Sequence, residues 1–255
     1  DSKQLSKLSL VARSQNIGPT KNFLNPLVNI NGTFDYFAFS DQDDIWHKDK
    51  LEKAIAKISK VQGDIPALYC ARTQIVDATG ENIRSNSPLF SKPPSFANAL
   101  VQSIGGGNTM VFNRAAKNLI IKASLNFDVI YHDWWCYQIV SGAGGYVFCD
   151  PEPCLKYRQH DFNLVGVNNN WPARFIRIRK LFQGRFRAWN DINLKTLLEN
   201  KHLLTKTNQK VLQDIIRARQ SALLKRLNKK KKSGIYRQTL LGNFGLLLGI
   251  VFNKV

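Results

Sequence analysis

The sequence predicts an α/β protein: a mostly parallel sheet with helices on both faces, followed by a basic, helical C-terminal extension. Three observations carry this expectation. Strand-like and helix-like periods alternate through residues 1–165, the pattern of a sheet covered by helices. An apolar, aromatic run (Phe34, Tyr36, Phe37, Phe39) stops abruptly at Asp41-Gln42-Asp43-Asp44, and ligands of such sheets sit beyond the carboxyl ends of the strands. The charge is divided unevenly: residues 1–160 hold 17 Lys and Arg against 14 Asp and Glu, whereas residues 161–255 hold 20 against 4. Nearly all of the net +19 therefore lies in the last third, which points to an anionic surface met by one segment. An apolar fraction of 44% and five Trp supply ample core material, which excludes a disordered chain.

The elements follow in order. Leu8 to Ala12 is compatible with a strand, and Thr20 is placed to cap a helix over Lys21–Ile30, with Pro26 inside it. Residues 34–40 form the next strand. From Lys48 to Lys60, Leu51, Ile55 and Ile58 recur among charges as one helix face. Ala67–Val76 reads as a strand, and the turn signal Asp77-Ala78-Thr79-Gly80 predicts a hairpin after it. Residues 85–95 are Ser- and Pro-rich, hence irregular, and a short helix spans Phe96–Gln102. The Gly105-Gly106-Gly107-Asn108 run precedes the apolar Thr109–Phe112; it suits a tight turn, or a close approach of backbone to a phosphate or sugar. Tyr131 opens a helix through Val140. Tyr146–Cys149 is a strand, and Leu155–Tyr157 its expected hairpin partner.

Several residues in these elements suit chemistry. Burying an unpaired charge is expensive, so carboxylates gathered at the end of a core strand face a cleft or a cation. Asp41 and Asp43 are two apart, on one side of an extended chain, and offer hard oxygen ligands to a divalent cation. The competing structural reading is a polar loop whose Asp44 caps the following helix. Asp133 lies in a first helical turn, where an acidic residue suits the helix dipole; it is also placed as a carboxylate base between aromatic platforms. Arg158 and His160 follow a strand and suit a diphosphate or a metal. The four cysteines show no CxxC pair and no metal-finger spacing, although Cys149 and Cys154 are close enough to meet across a turn.

Four blocks in this order resemble the family 2 glycosyltransferases, and more narrowly their bacterial rhamnosyltransferase-like branch. They are Asn16-Ile17-Gly18 with Lys21-Asn22-Phe23, then Phe39-Ser40-Asp41-Gln42-Asp43-Asp44-Ile45-Trp46, then His132-Asp133-Trp134-Trp135, then Tyr157-Arg158-Gln159-His160. Together they cover about residues 10–165. The resemblance implies a GT-A fold, a Rossmann-like domain over residues 1–165 that uses a nucleotide-diphosphate sugar. It implies that Asp41 and Asp43 match an Asp-x-Asp motif for Mg2+ or Mn2+, with His160 near the same metal. Asp133 matches the base of inverting members; Asn16, Gly18, Asn22, Asp41 and Arg158 match donor-binding positions. Trp134 and Trp135 are placed for the acceptor, a glycan or lipid-linked glycan of surface-polysaccharide synthesis, and rhamnose is the sugar that the branch suggests. Members of the family also begin with strands that grip the nucleobase, and nothing in this sequence matches them. The chain alone is therefore expected to hold the donor weakly, and the alternative reading is a truncated, non-catalytic remnant that binds membrane or a partner enzyme.

Residues 166–255 differ in character. Arg174, Arg177, Arg179, Lys180, Arg185 and Arg187 alternate with Phe175, Ile176, Ile178, Leu181, Phe182 and Phe186. A helix over Asn208–Leu227, a tetralysine at Lys229–Lys232 and the apolar Leu240–Phe252 follow. The apolar end is too short to span a bilayer. Polybasic and apolar segments in succession fit an anionic membrane surface, each basic residue contributing about 1 kcal/mol there. A cytoplasmic protein peripheral on the inner face of the membrane is the expectation. The other reading has the apolar end pack on the first domain. Nucleic acid is not an expected partner, because no recognition motif accompanies the charge.

Overall fold

A computed structural model describes residues 9–30, 34–124, 128–159 and 183–255. Helix α1 (Gly18–Asn29) starts earlier than the Thr20 cap implied. Asn16 Oδ1 accepts from the Gly18 N–H at 2.9 Å and Pro19 lies in the first turn, where its missing N–H is harmless. Ahead of it, residues 9–13 form no strand, and Leu10 is 94% exposed. A strand needs a paired neighbour, and residues 9–13 have none among the described residues.

Strands β1 (Tyr36–Ala38), β2 (Ile45–Trp46), β3 (Ala67–Val76), β4 (Ile83–Asn86), β5 (Val111–Asn113) and β6 (Tyr146–Arg158) form one sheet in the order β1-β5-β3-β6-β2, with β4 on β3. The expectation of a mostly parallel sheet is corrected here: among the described residues only β3 and β6 run parallel, and the other pairings are antiparallel. Two features of the chain bring this about. The Asp77–Gly80 turn folds β4 back on β3 as the turn signal predicted, and β5 enters between β1 and β3 against both.

A second correction concerns β6. Leu155–Tyr157 is no hairpin partner of Tyr146–Cys149, because one strand runs through both. Its register against β3 shifts between Ala71 and Arg72, where Asp150 is followed by Pro151, Glu152 and Pro153. Proline cannot donate to a ladder, and a shift in register is where a strand tolerates it. Because the strand continues, Cys149 sits beside Cys70 of β3 rather than beside Cys154, and all four cysteines are free.

Alternation along β3 sorts its side chains between two faces. Leu68 and Cys70 join Phe112, Trp135, Tyr137 and Ile139 in the larger core, under α3 (Phe96–Ala99), α4 (Arg114–Ser124) and α5 (His132–Gly142). Ala67, Tyr69 and Ala71 meet Ala54 and Ile58 of α2 (Lys50–Ile58) on the other face. Helices therefore cover both faces, as expected. The inward face of α2 carries Lys50, Ala54 and Ile58 rather than the Leu51-based face expected, and Leu51 is exposed.

The C-terminal helices are α6 (Arg185–Glu199), α7 (Lys206–Arg219), α8 (Leu223–Ser233) and α9 (Leu240–Val251). The single helix expected over Asn208–Leu227 is broken at Gln220–Ala222. Leu194, Leu197, Leu212, Ile215, Leu246 and Ile250 of these helices enter the same core as Phe112 and Trp135. The apolar end thus packs inward on one side. Among the described residues no helix is long and apolar enough to cross a membrane. The basic aromatic segment at 174–182 lies outside the described residues.

Candidate active site

The site assembles where β1 runs out. Phe37 and Phe39 are buried while Ala38 and Ser40 face outward, so the strand delivers its aromatic side chains to the core and its tip to the surface. Asp41 to Asp44 form a turn, not the extended segment that the two-residue spacing implied. The turn nevertheless gathers its carboxylates. Burial raises the Asp41 pKa, with the Asp43 charge adding to it. Burial likewise pushes Asp44 up to about 6, despite a hydrogen bond from Asn108 Nδ2 to its Oδ2 at 2.5 Å. The other Asp44 oxygen, Oδ1, is buried and has no hydrogen-bond partner. So Asp44 is not the helix cap of the competing reading; Asp49 stands at that position.

Lys50 completes the turn, and the sequence reading passed over it. Its side chain is buried, its Nζ donates to the Asn108 carbonyl at 2.6 Å, and it lies 3.3 Å from the centroid of the Trp46 ring. Burial lowers its pKa to about 8, while the Asp44 and Asp41 charges hold it up. A lysine on the inward face of an amphipathic helix is the signal that was available, since such a position is normally apolar. On the far side, the Arg158 guanidinium Nε donates to the Asp43 carbonyl. The last motif block thus returns to the first acidic one.

Helix α5 brings His132 and Asp133 to the same region. His132 stacks on Phe23 of α1 at 4.1 Å and meets Phe39 edge-on at 5.0 Å. Burial lowers its pKa to about 4, so the ring is neutral at physiological pH. Gly107 allows this packing: a Cβ there would run into the His132 ring. The glycine run is therefore a tight turn against the start of α5. Asp133 accepts from the Trp134 N–H at 2.7 Å, and the Gly107 backbone N–H also favours its charged form. Burial dominates and raises the Asp133 pKa to about 6, with the Asp41 charge contributing in the same direction. Asp41 and Asp133, 92 positions apart in the chain, thus lie in each other's field.

Trp134 and Trp135 are in the core, the Trp134 indole donating to the Ala99 carbonyl at 2.7 Å. This burial corrects the expectation that their rings meet an acceptor. Tyr131, Phe186 and Trp189 are half-buried aromatics; Tyr131 meets Trp189 edge-on at 5.2 Å and Phe186 stacks on Trp134 at 5.7 Å. Tyr131 holds a left-handed φ of 55°, a strained conformation for a bulky residue. Asn16 and Asn22 are exposed on and just before α1. His160 lies outside the described residues. Among those described, no group of three or more His, Cys, Asp and Glu is disposed to hold a metal ion.

A two-faced α/β sheet with an acidic turn facing a raised-pKa carboxylate is an arrangement compatible with glycosyl transfer, and sequence comparison relates the chain to such an enzyme. It is 28% identical over 167 residues to the dTDP-rhamnosyl transferase RfbG of Shigella flexneri. The match covers 63% of this chain and 56% of that protein. The chain thus spans little more than half the length of the relative it matches. No protein-family model matches it.

Proposed function

We propose that the chain forms part of an inverting, metal-dependent glycosyltransferase that moves a sugar from a nucleotide-diphosphate sugar to a glycan or lipid-linked glycan in surface-polysaccharide synthesis. The observation that carries the reading is the convergence of the acidic turn and Arg158 on one side with Asp133 on the other. Rhamnose is the proposed sugar and deoxythymidine diphosphate the proposed carrier, in line with the name of the relative as a dTDP-rhamnosyl transferase. That relationship favours catalysis over the alternative of a non-catalytic remnant.

In this reading Asp133, ionised above about pH 6, accepts the proton of the acceptor hydroxyl. The hydroxyl oxygen attacks the anomeric carbon as the bond from that carbon to the diphosphate oxygen breaks, inverting the configuration. The half-buried Tyr131, rather than the buried Trp134 and Trp135, is the aromatic proposed to meet the acceptor sugar, because Trp189 already carries the Arg185 guanidinium 4.6 Å from its ring centroid. Arg158 stands at the turn where the diphosphate charge would lie.

The acidic turn fits a divalent cation in its chemistry. Its oxygen donors are hard, Asp41 and Asp43 repel each other, and one Asp44 oxygen is buried without a partner. Asp41 and Asp43 would hold Mg2+ or Mn2+, with His160 as the further ligand. A cation held there would supply positive charge to stabilise the departing nucleoside diphosphate. Transfer is measured with dTDP-rhamnose as donor. Activity that requires Mn2+ or Mg2+ and disappears in Asp43→Ala supports the proposal; full activity in the presence of a chelator overturns the metal's role.

A further inference from the structure

A surface helix normally turns its apolar stripe inward and a polar face to water. Helix α9 is apolar on both. Leu246, Gly249 and Ile250 pack inward, while Leu240, Leu241, Phe244 and Leu247 are 89%, 65%, 57% and 38% exposed. Those positions, spaced i, i+1, i+4 and i+7, make a continuous outward stripe that Leu248 and Val251 prolong. Leu224 of the adjoining α8 adds a further exposed leucine at 78%. The charge around the stripe has one sign. After Gln220 the chain carries Lys225, Arg226, Lys229 to Lys232, Arg237 and Lys254, and no Asp or Glu. Lys225, Lys231 and Lys232 are exposed on α8. Arg226 ties the two helices together, its Nη1 donating to the Ile250 carbonyl at 2.8 Å.

We propose that the outer stripe of α9 and the lysines of α8 form a docking face for the surface of an anionic lipid bilayer. Exposed apolar area flanked by one sign of charge marks an interaction surface, and cations without neighbouring acids complement phosphate headgroups. At about 1.5 Å per residue, the 12 residues of α9 reach about 18 Å, short of a bilayer core of about 30 Å. The helix therefore lies in the interface, with Leu240, Leu241, Phe244 and Leu247 among the acyl chains. This inference is independent of the transferase reading and survives if that reading fails.

The test is sedimentation of the purified chain with phosphatidylglycerol–phosphatidylethanolamine vesicles and, separately, with phosphatidylcholine vesicles. The expected result is binding to the anionic vesicles that weakens with salt. The triple variant Leu241→Ser, Phe244→Ser and Leu247→Ser should lose about tenfold or more in affinity while keeping the parent melting temperature. Lys225→Gln with Lys231→Gln and Lys232→Gln should lose the preference for anionic lipid. Four outcomes overturn the proposal. One is no binding, or equal binding by parent and triple variant. Another is a vesicle-independent dimer that the triple variant abolishes, which makes a second copy the occupant. The third is a triple variant that melts well below the parent, which means that the chain itself covers the stripe. Salt-sensitive retention on RNA or DNA without vesicle binding likewise overturns it.

Discussion

At the residue scale, two of the ionisable groups that the candidate site holds far from their ordinary behaviour each make a prediction. Asp133 is the first. Its folded pKa of about 6 lies above the ordinary value of 3.8, so the folded state holds the proton more tightly than the unfolded one. Stability from this group is fully present below about pH 4 and is lost as pH rises through 6. Asp133→Asn should therefore raise stability at pH 7, by about 1 to 2 kcal/mol in denaturant titration, while the stabilisation shrinks towards pH 4. An unchanged or lowered neutral stability would show that the ionised carboxylate is well satisfied. Lys50 is the second. Lys50→Met leaves the Asn108 carbonyl and Asp44 without their cation, and should cost about 2 to 4 kcal/mol in unfolding free energy. Equal stability of the variant would mean that Trp46 packing alone positions the acidic turn.

At the scale of elements, the Gly106–Thr109 turn and the N-terminus of α5 are fitted to each other through Gly107 and His132. Gly107→Ala must displace the His132 ring and the start of α5. The expected result is a melting temperature several degrees lower, from a loss of about 2 kcal/mol, together with a loss of transfer. A variant that keeps both would place the turn farther from the base. The elements also show what the sequence disclosed. Strand β3 and its hairpin to β4 were legible, because Ala67–Val76 is long, apolar and followed by a turn of unambiguous chemistry. The acidic turn and the His132-Asp133 block were legible as motifs. Their juxtaposition was not, because it depends on sheet order. Pro151 and Pro153 read as a break, yet the ladder absorbs them at a register shift, which only the partner strand β3 could reveal. No Gly or Pro marks the end of α7, so its boundary with α8 carried no signal. Lys50 did not stand out because it is one of several charges interspersed among the apolar positions of α2.

At the scale of the whole molecule, one hydrophobic core joins the sheet to the C-terminal helices. Leu246 and Ile250 of α9 share it with Phe112 of β5 and Trp135 of α5. Leu246→Ala should therefore destabilise the entire fold, by about 2 to 5 kcal/mol, with one cooperative transition followed by near- and far-ultraviolet dichroism. Two separate transitions would show that the helical extension folds apart from the sheet. The same assembly brings the acidic turn within the field of Asp133 on α5, and the proposed function rests on Asp133 receiving the acceptor proton. The most direct test measures dTDP release from dTDP-rhamnose across pH, with a cell-envelope glycolipid extract as acceptor, alongside Mn2+ binding. The account predicts a rate that rises about tenfold per pH unit below pH 6 and levels above it. It predicts no turnover in Asp133→Asn with Mn2+ binding intact. Turnover by Asp133→Asn at the parent rate would contradict it.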